Sequence, residues 1–185
     1  MLNQLLNIAS SASWQEASYV PDCSEPILAW LLDESSLTKK LEQHCRHFHV
    51  EVRQQVTTST EQTPLSTYFT DAQQVLVREV FLHCDHTAHV FAQTEIPEQT
   101  LSDEQQNLAE IGSESLGRLL FQNSSLVRGK IEIAEFKPGS LIHQLCQTLS
   151  QHCEHSLWAR RSLFYIENKP LLVSEVFLPA SDIYQ

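Results

Sequence analysis

Two stretches, residues 75–83 and 88–96, constrain this chain most, because both carry the period-two patterning of a β-strand with buried side chains. Only Cys84-Asp85-His86-Thr87 separates them, which predicts a β-hairpin. Inside the first stretch, Arg78 shares a face with Leu76, Val80 and Leu82. A later strand pattern, residues 171–178, puts Glu175 between Val173 and Phe177, while Leu172, Ser174, Val176 and Leu178 take the other face. Both charges are therefore expected to point inward, where an unpaired charge is costly. Two explanations are open: a structural Arg78–Glu175 salt bridge, or a polar pocket in which Arg78 holds a substrate carboxylate and Glu175 faces a hydroxyl or titrating oxygen.

The rest of the chain supplies further strands and the helices to cover them. Ile27, Trp30 and Leu31 make a helical stripe after Pro26. Ser35 and Ser36 are natural N-caps for a second helix carrying Leu37, Leu41, Cys45 and Phe48. Strands are expected at residues 49–56, 125–136 and 158–166, and the last of these is joined to 171–178 by a turn at Glu167-Asn168-Lys169-Pro170. Helices are expected at 102–111, 113–121 and, after Pro138-Gly139, at 141–149. Residues 1–25 read as an N-terminal tail or short helix and 26–185 as one domain. The element order predicts an α+β fold, an antiparallel sheet with helices packed on it.

Composition narrows the function. Twelve basic and 23 acidic residues give 185 residues a formal charge of −11, which argues against nucleic acid or an anionic membrane as partner. No apolar run is long enough to span a bilayer, and no basic leader precedes one, so a soluble, unprocessed protein is expected. The five cysteines, Cys23, Cys45, Cys84, Cys146 and Cys153, show no C-x-x-C spacing and are expected to be reduced thiols in the cytoplasm. Eight of the nine histidines group as His44/His47/His49, His83/His86/His89 and His152/His155. None of these groups has a metal-ligand spacing such as H-E-x-x-H, and solvated histidines are the expectation. Gly117, in Ser115-Leu116-Gly117-Arg118, belongs to no phosphate loop. The helix starts near Leu37 and Leu116 offer free backbone N–H groups of the kind that hold carboxylates, although both leucines also read simply as core residues.

Several ordered motifs run along the chain. They are Trp30-Leu31-Leu32 through Ser36-Leu37-Thr38-Lys39-Lys40-Leu41-Glu42-Gln43, Val77-Arg78-Glu79-Val80-Phe81-Leu82, and Leu116-Gly117-Arg118-Leu119-Leu120-Phe121. Ile131-Glu132-Ile133, Leu157-Trp158-Ala159-Arg160-Arg161-Ser162, and Lys169-Pro170-Leu171-Leu172 through Glu175-Val176-Phe177-Leu178-Pro179-Ala180-Ser181 complete the set. The resemblance of these motifs to the chorismate pyruvate-lyase family spans about Ala29 to Tyr184. It implies a single α+β domain with helical flaps over an enclosed ligand site. It also implies elimination of pyruvate from chorismate to give 4-hydroxybenzoate for ubiquinone synthesis, by a cytoplasmic monomer without metal or cofactor.

By the same resemblance the substrate contacts fall on Leu37, Arg78, Leu116 and Glu175, with Arg78 and Glu175 as the catalytic residues. Two departures stand out. Gln93 replaces an arginine that lines the ligand passage in familiar members, and residues 137–155 form a longer segment with no family-derived role. The alternative is a non-catalytic domain of the same fold that senses an aromatic acid. Such a sensor needs a DNA-binding module, and the chain shows no basic helix-turn-helix pattern.

Overall fold

Among the described residues, the period-two stretches fold into one antiparallel sheet of seven strands in the order β1-β5-β6-β7-β4-β3-β2. In this computed structural model, residues 8, 12–19, 23–63, 68, 74–101 and 111–185 are described. The strands are β1 Gln15–Glu16, β2 Phe48–Ser59, β3 Gln74–Cys84, β4 Thr87–Pro97, β5 Leu126–Phe136, β6 Leu157–Ile166 and β7 Lys169–Phe177. Tight two-residue loops close two hairpins, with positive φ at Asp85 (48°) and His86 (72°) in one and at Glu167 (51°) and Asn168 (65°) in the other. Left-handed pairs of this kind match the twist of the flanking strands. The sequence expected a longer second turn, but Lys169 and Pro170 already pair with Ile166 and Tyr165 as the start of β7.

Among the described residues four α-helices cover the sheet: α1 Glu25–Leu31, α2 Leu37–His44, α3 Leu116–Gln122 and α4 Leu141–Thr148. Ser36 caps α2 by accepting from Lys39 N, and Ser115 caps α3 by accepting from Arg118 N. The first two helices set Trp30, Leu31, Leu37 and Leu41 against Val80, Leu82, Val90 and Phe177 on one face of the sheet. Leu116 and Leu120 of α3 pack on that face with Leu76 and Phe164. On the opposite face, Ile142, Leu145 and Cys146 of α4 pack against Phe81, Phe91, Phe136 and Val176. The long 137–155 segment thus closes the far side of the core. No helix among the described residues is long and apolar enough to cross a membrane.

The expected helix at 102–111 falls almost wholly outside the described residues. Within 1–25, Gln15 and Glu16 pair with Ile133 and Glu132 as an edge strand, followed by a 3-10 turn at Ala17–Tyr19. The expectation of five reduced thiols is corrected for two: Cys45 and Cys84 are joined as a disulfide, with 5.3 Å between their Cα atoms and 39 residues between them in sequence. Their spacing carried no signal, because the pair forms only once β2 lies beside β3 and brings Phe48 opposite Cys84. Cys23, Cys146 and Cys153 lie outside this disulfide, and burial pushes the Cys146 thiol up to about 12.

Candidate active site

A pocket lies between the sheet and the N-terminal ends of α2 and α3. Leu37, Arg78, Leu116 and Glu175 all line it, as do Arg128 and Arg160. Strand alternation puts the sheet residues there: Arg78 lies opposite Thr94 in the β3–β4 register, and Glu175 lies opposite Ala92.

Arg78 is 2% exposed. Its Nη2 donates to the carbonyls of Gly112 (2.8 Å) and Glu114 (3.2 Å), while its buried Nε has no hydrogen-bond partner among the described residues. No carboxylate among those residues pairs with it. Burial pulls its pKa below the ordinary arginine value, the direction expected when a cation is desolvated without a compensating anion.

The structural Arg78–Glu175 salt bridge is not formed. Glu175 accepts instead from Arg160 Nε at 2.6 Å, and Arg160 also donates through Nη1 to Trp30 O (3.0 Å) and Asp33 O (2.6 Å). Register explains the choice. Glu175 sits directly across from Arg160 on the neighbouring strand β6, where side chains meet. Arg78 lies two strands away from β7 and two residues out of level, a Cα separation of about 12 Å from the spacing and rise of strands. Arg160 escaped the sequence reading as a site residue, although the test that flagged Arg78 applies to it: Trp158, Arg160, Ser162 and Phe164 alternate on one strand face.

The rim of the pocket is built by two helix starts that meet. Thr38 Oγ1 and Ser115 Oγ lie 2.7 Å apart, tying α2 to α3 across 77 residues of chain. Gly117 permits this approach, since a Cβ there would stand 2.9 Å from Thr38 Oγ1. Gly117→Ala is expected to lower stability by about 1 kcal/mol, overpacking outweighing the better helix propensity of alanine. In a Thr38→Ala background the same change should be neutral or stabilising. Thermal denaturation of the four proteins measures the coupling, and additive effects would refute the contact as the cause.

Other polar groups that the sequence singled out lie elsewhere. Gln93 projects from the opposite face of the sheet, where its Nε2 donates to Glu79 Oε1 at 2.8 Å; Gln54 Nε2 (2.7 Å) and Arg53 also bind Glu79. Gln93 thus faces away from the pocket. His83 pairs with Glu51 at 2.8 Å, and His143, which belongs to none of the histidine groups, is buried between Ser140 Oγ (2.9 Å) and His155 O (3.0 Å). Among the described residues no group of three or more His, Cys, Asp or Glu side chains is placed to hold a metal ion.

Comparison with known proteins supplies the lineage of this pocket. A probable chorismate pyruvate-lyase of Psychromonas ingrahamii is 56% identical over 177 residues, covering 96% of this chain and 95% of that protein. One from Shewanella sp. (strain ANA-3) is 41% identical over 158 residues, covering 85% and 82% of the two chains. In fold, the effector domain of PhnF from Mycobacterium smegmatis superposes with a TM-score of 0.58 at 13% identity, over 78% of this chain and 88% of that one; at that identity the likeness concerns the fold alone. The family profile described as Chorismate lyase matches residues 8–185, and with those relatives it shows that the chain belongs to the chorismate lyase family.

Proposed function

We propose that this protein cleaves chorismate to 4-hydroxybenzoate and pyruvate, with Arg78 and Glu175 at opposite ends of the substrate ring. The observation that carries the assignment is Arg78 itself: a guanidinium 2% exposed, lining the pocket without a carboxylate partner among the described residues, as expected of a cation reserved for an anionic ligand. Arg78 takes the ring carboxylate, assisted by the backbone N–H groups at Leu37 and Leu116, which begin α2 and α3 and have no intrahelical acceptor. Glu175 takes the other end of the ring, at the hydroxyl, with Arg160 holding its carboxylate in place.

The chemistry asks little more of the protein. The ring C–O bond to the enolpyruvyl group breaks, and its electron pair leaves with the oxygen as enolpyruvate, which is protonated to pyruvate. A proton leaves the neighbouring hydroxyl-bearing ring carbon, and the ring becomes aromatic. The elimination is redox-neutral and aromatisation drives it. Catalysis then consists of fixing the ring, excluding water and stabilising the charge that moves. Glu175 is the acid/base group for the ring proton, or orients the hydroxyl that stays on the product. In this reading α2 and α3 act as flaps over the bound ring, and the enzyme works as a cytoplasmic monomer on the path to ubiquinone.

Incubating purified protein with chorismate in the presence of a metal chelator is expected to release 4-hydroxybenzoate and pyruvate in equal amounts. Activity lost on chelation and restored by zinc would overturn the metal-free mechanism. Tight 4-hydroxybenzoate binding with no turnover would turn the assignment to a sensor of aromatic acids.

A further inference from the structure

Chorismate has two carboxylates, and the arrangement above occupies only one of them. The pocket walls carry three guanidiniums, Arg78, Arg128 and Arg160, against one carboxylate, Glu175. Arg160 is already engaged by Glu175. Arg128 has no carboxylate partner among the described residues: its Nε donates to Ser162 Oγ at 3.1 Å and its Nη1 to Asp33 O at 3.3 Å, and no partner is seen there for its Nη2. Phe164, with its ring centroid 5.2 Å from the guanidinium carbon, fixes the plane of the fork. Burial and then the charge of Arg160 disfavour a cation at Arg128, and the charges of Glu175, Glu34 and Asp33 oppose this without pairing with it. A second anion in the pocket adds to that compensation.

Where Arg128 stands decides which anion. Its Nη1 and the Nη1 of Arg160 converge on the same carbonyl, Asp33 O, and Arg160 in turn holds Glu175. Arg128 is therefore at the Glu175 end of the pocket, away from Arg78. In chorismate the enolpyruvyl ether is borne by the carbon next to the hydroxyl-bearing carbon, so its carboxylate projects at that same end when the ring carboxylate is on Arg78.

Resting on the proposed lyase reading, we infer that Arg128 is the receptor for the enolpyruvyl carboxylate of chorismate, and so the residue that distinguishes the dicarboxylate substrate from the monocarboxylate product. A planar, forked donor suits a carboxylate bidentately. The same contact holds the leaving enolpyruvate while negative charge builds on its oxygen. After cleavage this anchor binds pyruvate alone, and 4-hydroxybenzoate is left on Arg78 and Glu175.

The test compares ligands as well as variants. In Arg128→Met, kcat/KM for chorismate is expected to fall roughly 30-fold or more, the effect of stranding a buried charge, while the Kd of 4-hydroxybenzoate stays within about twofold of wild type. Arg128→Lys, which keeps the cation but not the fork, should recover part of the loss. Independently of any variant, wild-type protein should bind 3-(carboxymethoxy)-4-hydroxybenzoate at least about tenfold more tightly than 3-ethoxy-4-hydroxybenzoate, a preference absent in Arg128→Met. The inference is overturned if wild type shows no such preference, if chorismate turnover survives Arg128→Met, or if 4-hydroxybenzoate affinity falls as far as kcat/KM. A wild-type protein that makes no 4-hydroxybenzoate from chorismate overturns the lyase reading and this inference with it; failure of Arg128 alone leaves the lyase reading standing.

Discussion

Arg78→Ala is expected to lower kcat/KM for chorismate by at least roughly 100-fold and to weaken 4-hydroxybenzoate to a similar degree, because both ligands lose the cation opposite the ring carboxylate. Leaving a desolvated charge unpaired costs about 2–5 kcal/mol, and each ~1.4 kcal/mol is tenfold. The parallel loss for substrate and product is the signature, and it contrasts with the selective loss expected at Arg128. Stability should fall less than it would for a broken buried ion pair. No carboxylate is orphaned, since Glu175 stays with Arg160, and what is lost is donation to the carbonyls of Gly112 and Glu114, about 1–3 kcal/mol. Titration calorimetry with 4-hydroxybenzoate, initial rates with chorismate and a thermal melt measure the three quantities. Turnover near wild type in Arg78→Ala would refute the site.

Glu175→Gln separates proton handling from positioning. Glutamine keeps the shape of the side chain and an oxygen that can accept from Arg160 Nε, now 2.6 Å from the carboxylate, but it has no useful basicity. If Glu175 accepts the ring proton, kcat is expected to fall roughly 100- to 10,000-fold, the range attributed to general acid–base catalysis. The Kd of 4-hydroxybenzoate should change little, because a neutral hydrogen-bonding group still meets the hydroxyl. A kcat within a few-fold of wild type would remove the acid/base role and leave Glu175 as an orienting group. The melt guards against misreading, since removing the negative charge leaves Arg160, 2% exposed, with neutral acceptors in place of its carboxylate partner: the glutamine oxygen and the Trp30 and Asp33 carbonyls.

These experiments hinge on a distinction that sequence and structure divide between them. From the sequence alone, Arg78 could be placed on the face of Leu76, Val80 and Leu82, and Glu175 between Val173 and Phe177, because the side-chain period of a strand is a local property. The cap Ser36, the two hairpins and the apolar stripe of α4 were legible for the same reason: each is written within a few residues of chain. The motifs at 77–82, 116–121 and 169–181 carried the family resemblance, and with it Leu37, Arg78, Leu116 and Glu175 as candidates.

Which charge faces which was not legible, because it depends on strand order and register. The order β6-β7-β4-β3 gives Glu175 to Arg160 and leaves Arg78 without a carboxylate, turning a suspected salt bridge into an open cation. The same long-range placement joins Cys45 to Cys84, lets Thr38 meet Ser115 over Gly117, and brings Arg128 beside Arg160 through the carbonyl of Asp33. Each of these contacts links residues far apart in sequence, and its energy is gained only after the whole sheet has chosen its pairing. Local pattern therefore determined which side chains could enter the pocket, and the tertiary arrangement of the strands decided which of their charges were left for a ligand.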